Sequence, residues 1–143
     1  MAYCTMNKLS VLITGIDQRE SLCFLELNAS GIELGMLLFD LQPFFRKGCR
    51  VNVLFKETEV ALAKGLMGET SFSNSFPAAV TKIRAGSLLA EITLQCSAGE
   101  IVSIITAKAA ERLGLQEKDD VTVLIKASQL SLELLHNEHS AKR

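Results

Sequence analysis

Short runs of alternating apolar and polar residues fill most of the chain, and this period of two is typical of β-strands with one buried face. In the second half of the chain we predict strands at residues 76–84, 88–95 and 100–105. One segment there has a helical period instead. Thr106 is a suitable N-cap, residues 107–113 predict a short helix, and Gly114 is suited to end it. From Val121 the pattern returns to that of a strand.

The first half of the chain shows the same order of elements. We predict strands there at residues 9–16, 21–27 and 32–38. Asp40 is a suitable cap for a short helix over residues 41–47, and Gly48 would end that helix. Both halves then continue into a strand-like segment, which begins at Val51 in the first half.

An internal repeat accounts for this shared order of elements. Three pairs of segments align: NKLSVLITGI (7–16) with NSFPAAVTKI (74–83), CFLELNAS (23–30) with AEITLQCS (90–97), and VNVLFKETEVAL (51–62) with VTVLIKASQLSL (121–132). Five short strands and one short helix in each copy predict a mostly β protein. We expect two tandem OB-like five-stranded barrels, each with one short helix.

The repeat also gives the expected domain boundaries. The 143 residues are 48% hydrophobic, which suits one ordinary domain or two small ones. We expect a first domain at residues 1–63, a linker of mostly small residues at 64–70, and a second domain at 71–135. Residues 136–143 are expected to form a polar tail.

A lysine stands in each repeat where the buried face of the strand changes. In residues 121–125 the odd positions are apolar, whereas in residues 130–134 the even positions are apolar. The buried parity therefore changes at residues 126–128 (Lys-Ala-Ser), and it changes in the first repeat at residues 56–58 (Lys-Glu-Thr). Such a change requires one odd residue, which a bulge or a tight corner supplies.

Two interpretations of these lysines remain open. A bulge leaves backbone N–H groups without strand partners, and an ammonium and a hydroxyl beside them would suit a small oxyanion. Lysine is also a common guard of strand edges, and serine and threonine are common in corners. The recurrence at Lys56 and Lys126 favours a shared purpose, which is either a binding site or an inherited structural corner.

The composition argues against partners that bind by bulk charge or by stacking. The formal net charge of −1 gives no general attraction to nucleic acid or to a membrane surface. The chain has no tryptophan and one tyrosine, whereas single-strand binders stack bases on aromatic side chains. No apolar run approaches the roughly 20 residues that span a bilayer, and no clean signal peptide is present. We therefore expect no nucleic-acid partner, no membrane insertion and a cytoplasmic location.

The sequence predicts a protein that is not an enzyme. Both histidines, His136 and His139, fall in the polar tail, so a histidine-based catalytic arrangement is not expected. The four cysteines form no C-x-x-C pair and are expected to be free thiols, and no direct side-chain metal site is expected. Phosphate-binding loops and hydrolase motifs are absent from the sequence.

Five motifs of the second repeat resemble those of the Mop, or molybdate-binding, domain. In chain order they are SFSN (71–74), GSLLAEI (86–92), ITAKA (105–109), LGL (113–115) and IKAS (125–128). The first repeat resembles a degenerate copy of the same domain and keeps Asn7, Lys56 and Thr58. The whole chain is therefore similar to the tandem di-Mop proteins that are sometimes called molbindins.

This resemblance implies a function and a set of ligand-binding residues. It implies OB-like modules that associate, typically as trimers of tandem chains, and that bind molybdate or tungstate between modules without an organic cofactor. The implied oxyanion-binding residues are Ser71, Ser73, Asn74, Thr106, Lys126, Ala127 and Ser128, with Asn7, Lys56 and Thr58 as weaker candidates in the first repeat. Hydroxyls, backbone N–H groups and an ammonium suit a tetrahedral dianion, which has four acceptor oxygens and no donor.

The chain departs from the family pattern at several motif positions. Ser73 stands where the family has an arginine that can contact two oxygens at once, and Phe39 is the counterpart of Thr106 in the first repeat. Two functions are therefore open. The first is a cytoplasmic molybdate or tungstate binder that serves storage or homeostasis. The second is a non-catalytic oligomerisation or regulatory module of a molybdate transporter or regulator, with reduced or lost anion binding.

Overall fold

The computed structural model describes residues 5–135, and ten β-strands make up most of this part of the chain. The strands are β1 (Met6–Arg19), β2 (Leu22–Ala29), β3 (Ile32–Phe39), β4 (Arg50–Lys56), β5 (Ala61–Ala63), β6 (Asn74–Ala85), β7 (Leu89–Cys96), β8 (Gly99–Thr106), β9 (Asp120–Ile125) and β10 (Ser131–Leu134). One α-helix, α1 (Ala107–Leu113), lies between β8 and β9. The prediction of a mostly β fold is confirmed, whereas the predicted polar tail and its two histidines lie outside the described residues.

The strands form two antiparallel five-stranded sheets that exchange their last strands. The first sheet has the order β10-β4-β1-β2-β3, and the second has the order β5-β9-β6-β7-β8. β10 belongs to the second repeat in sequence but pairs with β4, with Ser131 opposite Leu54. β5 belongs to the first repeat but pairs with β9, with Ala61 opposite Leu124. Each repeat therefore completes the sheet of the other, which the repeat pattern alone did not indicate.

A single turn of 3-10 helix directs each exchanged strand to the other sheet. We call the turn at Glu57–Glu59 the first corner and the turn at Ala127–Gln129 the second corner. Phe55 before the first corner and Val60 after it are both buried, so the predicted change of buried face is confirmed. The odd residue is supplied by a corner, which is one of the two devices that the parity change allowed.

The β-bulges of this fold lie elsewhere, at equivalent threonines of the two repeats. The pairing of β1 with β2 shifts at Thr14, and the pairing of β6 with β7 shifts at Thr81. The Thr14 hydroxyl donates to the Glu26 carbonyl at 3.1 Å, and the Thr81 hydroxyl donates to the Thr93 carbonyl at 3.2 Å. Each threonine thus supplies a side-chain hydrogen bond where the ladder is interrupted.

The helix predicted in the second repeat is confirmed with both of its ends. The Thr106 hydroxyl oxygen accepts a hydrogen bond from the Ala109 N–H at 3.0 Å, as an N-cap does. Gly114 ends the helix with a φ of 59°, a left-handed conformation that glycine adopts without steric cost.

The helix predicted over residues 41–47 is wrong, because this segment forms turns. Asp40 adopts a φ of 54°, and its N–H donates to the Ser21 carbonyl at 2.8 Å, so it does not occupy the extended conformation of an N-cap. Pro43 disfavours the helical conformation of the residue before it. The expectation of one α-helix in each repeat therefore holds only for the second repeat.

Both sheets contribute to one continuous apolar core. Its most deeply buried residues include Val11, Leu25, Phe55, Ile92, Leu94 and Val123, which come from both sheets. The free cysteines Cys23 and Cys96 are also buried in it, as the sequence predicted for thiols that pack as small apolar groups. None of the described helices has the length and apolar character to cross a membrane.

Two asparagines join the repeats through reciprocal hydrogen bonds to edge strands. Asn74 is fully buried; its side-chain oxygen accepts from the Gly35 N–H at 2.7 Å and its side-chain nitrogen donates to the Gly35 carbonyl at 3.1 Å. Asn7 makes the same pair of bonds with Val102, both at 2.8 Å. Gly35 lies in β3 and Val102 lies in β8, which are the outer strands of the two sheets. Each amide therefore replaces a strand partner for one residue.

The asparagine contacts predict a large loss of stability on substitution. Asn74→Ala removes two hydrogen bonds and leaves a buried N–H and C=O of Gly35 unpaired, so we expect a loss of roughly 2–4 kcal/mol in the free energy of unfolding. Urea denaturation measures this loss. Asn52→Ala is the matched control, because the Asn52 amide donates to the partly exposed Glu133 carboxylate, and it should cost less than about 1 kcal/mol. Equal losses in the two variants would contradict the assigned role of Asn74.

Candidate oxyanion-binding cleft

An open cleft of about 600 Å³ lies between the two corners and the end of β8. It is lined by Thr58, Glu59, Val60, Ala61, Phe72, Leu89, Ile104, Ile105, Thr106, Ala109, Lys126 and Gln129. Residues 58–61 belong to the first repeat in sequence, and the remaining lining residues belong to the second. The cleft therefore lies at the boundary between the two repeats.

A buried hydroxyl holds the first corner against β8. The Ser103 hydroxyl is fully buried and donates to the Val60 carbonyl at 2.7 Å. Ser103 lies in β8, and Val60 directly follows the first corner. The bond therefore fixes the position of Thr58 and Glu59 relative to the second repeat.

Thr106 brings a hydroxyl into the cleft at the end of β8. Its oxygen already accepts the N-cap hydrogen bond from the Ala109 N–H, and a hydroxyl can accept and donate at the same time. The O–H of Thr106 is therefore available as a donor to a ligand. Thr58 contributes a second, exposed hydroxyl from the opposite side of the repeat boundary.

The second corner positions Lys126 and Gln129 together. The Lys126 N–H donates to the side-chain oxygen of Gln129 at 3.1 Å, and the Gln129 N–H donates to the Lys126 carbonyl at 3.0 Å. Because the side-chain oxygen of Gln129 is engaged, its NH₂ group remains as the donor. The Lys126 side chain is exposed, and within residues 5–135 it forms no ion pair.

The structure brings together only part of the residue set implied by sequence. Thr58, Thr106 and Lys126 line the cleft. Four other candidates do not line it: Ser71, Lys56, Ala127 and Ser128. Of these, Lys56 directly precedes the first corner, and Ala127 and Ser128 belong to the second corner. The amides of Asn7 and Asn74 are engaged with edge strands, which gives them a structural role at the repeat boundary.

Ser73 lies in a different place from the cleft. It lines a groove of about 490 Å³ on the first sheet, together with Phe24, Glu26, Glu33 and Gly35. Ser73, which stands where the Mop pattern has an arginine, therefore does not line the cleft with Lys126 and Thr106, although the preceding Phe72 does. The two glutamates make this groove a poor environment for an anion.

Nine of the twelve lining residues were not predicted from the sequence, and three of these bear on the chemistry of the cleft: Glu59, Phe72 and Gln129. Glu59 and Gln129 occupy the same position in the two repeats, three residues after the corner lysine. The spacing from Lys126 to Gln129 is that of a capping pair, so this signal was present in the sequence. Phe72 stands inside the SFSN motif but has no polar atom in its side chain to attract notice.

The equivalent region of the first repeat has apolar side chains where the cleft has a hydroxyl. Phe39 is the counterpart of Thr106, and 68% of it is exposed. Leu22 pairs directly with Phe39, and Leu37 lies two residues before it, so the three side chains share one face of the strand pair. We call Leu22, Leu37 and Phe39 the apolar patch. The two repeats therefore differ in the chemistry of this position.

The first corner carries a buried carboxyl group beside the cleft. Glu57 is 8% exposed, and burial raises the pKa of its carboxyl above the ordinary value, with a further rise from the negative charge of Glu91. Its counterpart in the second corner is Ala127, which has no charge to bury. Glu57 therefore costs stability when it is ionised.

Comparisons with known proteins give a domain match over part of the chain and a structural match over most of it. Residues 70–132, which cover the second repeat, match the model of the TOBE domain. Among solved structures, the chain is similar to a crystal structure of the cytoplasmic molybdate-binding protein ModG with molybdate bound. The TM-score is 0.82 and the sequence identity 24%, and the match covers 90% of this chain and 96% of that one. No curated protein sequence matches the chain. The structural similarity establishes a shared fold over nearly the whole chain.

The raised pKa of Glu57 predicts how stability changes with pH. A carboxyl whose folded-state pKa lies above its unfolded value of about 4.3 favours folding most when it is protonated. This contribution is present below the unfolded pKa and is lost as the pH rises through the folded pKa. Glu57→Gln should therefore stabilise the protein at neutral pH, and the gain should shrink as the pH falls towards the unfolded pKa.

Chemical denaturation at several pH values measures this dependence. Glu117→Gln is a control for the loss of one exposed carboxylate, and it should show little change at any pH. A Glu57→Gln variant that is less stable than the wild type at neutral pH would show that the carboxylate makes a favourable contact.

Proposed function

We propose that this protein is a non-enzymatic, cytoplasmic molybdate or tungstate binder that serves storage or homeostasis. Its site is the cleft at the boundary between the two repeats. The observation that carries the proposal is that Thr58, Thr106, Lys126 and Gln129, which bear hydroxyl, ammonium and amide groups, all line this cleft. These groups come from both repeats and from three separate segments of the chain.

The donor set of the cleft fits a tetrahedral oxyanion. Molybdate and tungstate have four acceptor oxygens and no donor, so they need several convergent N–H and O–H groups. Thr106 and Gln129 each accept a hydrogen bond through the side-chain oxygen, and each still has a donor, an O–H or an NH₂ group, to offer a ligand. Lys126 adds a positive charge with no carboxylate partner among the described ion pairs.

The comparisons support the same ligand class. One similar solved structure is that of a cytoplasmic molybdate-binding protein with molybdate bound, and its fold matches this chain over nearly its full length. The TOBE match covers the segment that supplies Phe72, Thr106, Lys126 and Gln129. We accordingly treat residues 1–63 and 71–135 as two modules joined by residues 64–70, with the exchanged strands tying them together.

We further propose that the chain forms a homo-oligomer, with a trimer as the expected form. The apolar patch of Leu22, Leu37 and Phe39 supports this proposal, because adjacent exposed apolar side chains mark surfaces that associate. Small modules also gain buried area from neighbours. Oxyanion sites at such contacts could draw on residues that the cleft of one chain does not contain, including Ser71 and Ser128.

A second candidate function is a regulatory or oligomerisation module that acts with a molybdate transporter or regulator. Phe39 favours it, because this side chain replaces a hydroxyl with an exposed aromatic ring at the position equivalent to Thr106. Ser73 in place of the family's arginine also favours it, since the loss of a guanidinium weakens oxyanion binding. In this case anion binding would be weak or absent while the assembly stays intact.

The molybdate proposal predicts the effect of removing the ammonium from the cleft. Wild-type protein should bind molybdate saturably in isothermal titration calorimetry. Lys126→Ala should weaken binding roughly 10- to 100-fold, because a charge-assisted hydrogen bond contributes about 1.5–3 kcal/mol. Lys82→Ala removes an exposed lysine outside the cleft and should leave the affinity unchanged. Unchanged binding in Lys126→Ala would remove Lys126 from the site, and no binding by the wild type would favour the second function.

The oligomer proposal predicts the effect of changing the apolar patch. Phe39→Thr installs the residue found at the equivalent position of the second repeat, and it should weaken self-association at least tenfold. The reason is that a buried phenylalanine contributes about 1.5–3 kcal/mol. Analytical ultracentrifugation over a range of concentrations measures the change. Leu88→Thr removes an exposed apolar side chain outside the patch and is the matched control. An oligomer unaffected by Phe39→Thr would place the contact elsewhere.

A further inference from the structure

The cleft contains a carboxylate that a simple anion site would not include. Glu59 lines the cleft together with Lys126, and its side chain is half-buried. Neither residue forms an ion pair anywhere in the described part of the chain. The proposed site therefore contains one positive and one negative side chain, with no net formal charge from this pair, and the two side chains do not form an ion pair with each other.

The internal repeat makes the chemistry of Glu59 informative. Glu59 and Gln129 are equivalent by sequence, and both line the same cleft. Gln129 uses its side-chain oxygen to accept from the Lys126 N–H, so its NH₂ group is left to donate. Between residues 5 and 135 no corresponding bond joins Lys56 to Glu59. The cleft thus presents an amide donor from one repeat and a carboxylate acceptor from the other.

An ionised carboxylate can only accept hydrogen bonds, and molybdate can also only accept them. A carboxylate and a molybdate ion in one site repel each other because both are negatively charged, and neither can donate a hydrogen bond to the other. Both effects disfavour binding. An oxyanion that carries a proton, such as hydrogen phosphate, can instead donate that proton in a hydrogen bond to the carboxylate. Molybdate and hydrogen phosphate are both tetrahedral, so a carboxylate can distinguish them only by the proton that hydrogen phosphate carries.

We infer that Glu59 is a specificity-determining residue of the cleft, which lowers the affinity for fully deprotonated dianions relative to protonated oxyanions. The inference rests on the proposed function for the location of the site. It assigns to Glu59 a role in choosing among oxyanions, whereas Lys126 and Thr106 provide the attraction that all of them share.

The test compares two oxyanions in three variants by isothermal titration calorimetry at neutral pH. The probes are sodium molybdate and sodium phosphate. Glu59→Gln should bind molybdate at least ten times more tightly than the wild type, which corresponds to about 1.4 kcal/mol. Its affinity for phosphate should rise less, so that the ratio of the two affinities shifts towards molybdate. Gln129→Glu should weaken molybdate binding at least tenfold. Glu33→Gln removes an exposed carboxylate outside the cleft and should change neither affinity.

The outcomes separate this inference from the proposed function. If wild-type protein binds molybdate and Glu59→Gln leaves the ratio of affinities unchanged, the role of Glu59 is overturned and the site stands. If neither protein binds molybdate, the proposed function fails, and the inference fails with it. Binding by Glu59→Gln where the wild type shows none would support the inference directly. The substitution is nearly isosteric and copies the residue of the other repeat, and thermal melting of each variant checks that it is folded.

Discussion

The amides of Asn7 and Asn74 close the boundary between the two repeats, because each one pairs with the backbone of the other repeat's outer strand. A buried polar group without a partner is costly, so the loss of either the amide or the edge strand would leave buried donors and acceptors unpaired. The reciprocal exchange of β5 and β10 adds a second constraint, since neither sheet is complete without the other repeat. The cleft lies at this boundary, and its shape therefore depends on both features.

The same corners that exchange the strands also supply the polar groups of the cleft. Each corner is a 3-10 turn that directly follows its lysine. The second and third residues after Lys56, Thr58 and Glu59, line the cleft together with Gln129, the third residue after Lys126. Ser103 then fixes the first corner through the Val60 carbonyl. The exchange of strands and the proposed cleft therefore depend on the same two corners. At Lys126 a structural corner and a proposed binding site coincide, whereas Lys56 does not line the cleft.

Duplication has produced two similar sheets but only one cleft with this set of donors in the described part of the chain. Thr106 caps α1 and lines the cleft, whereas its counterpart Phe39 is the last residue of β3, which is followed by turns. Pro43 helps to explain this difference, because it disfavours a helix in the first repeat and so removes the need for a cap. The first repeat presents an apolar surface at the position where the second repeat has a hydroxyl.

The sequence by itself determined the local elements of this protein. The alternation of apolar residues, the change of buried parity at both lysines, and the helix between Thr106 and Gly114 all depend on neighbours within a few residues. Only the tertiary structure decided which strands are exchanged, that Asn74 contacts Gly35 and Asn7 contacts Val102, and that Ser73 and Lys126 line different cavities. Asn74 and Gly35 are 39 positions apart in the sequence, and Asn7 and Val102 are 95 positions apart. Because many partners are compatible with the same local pattern, such pairings are decided only when the sheets and their edges pack together.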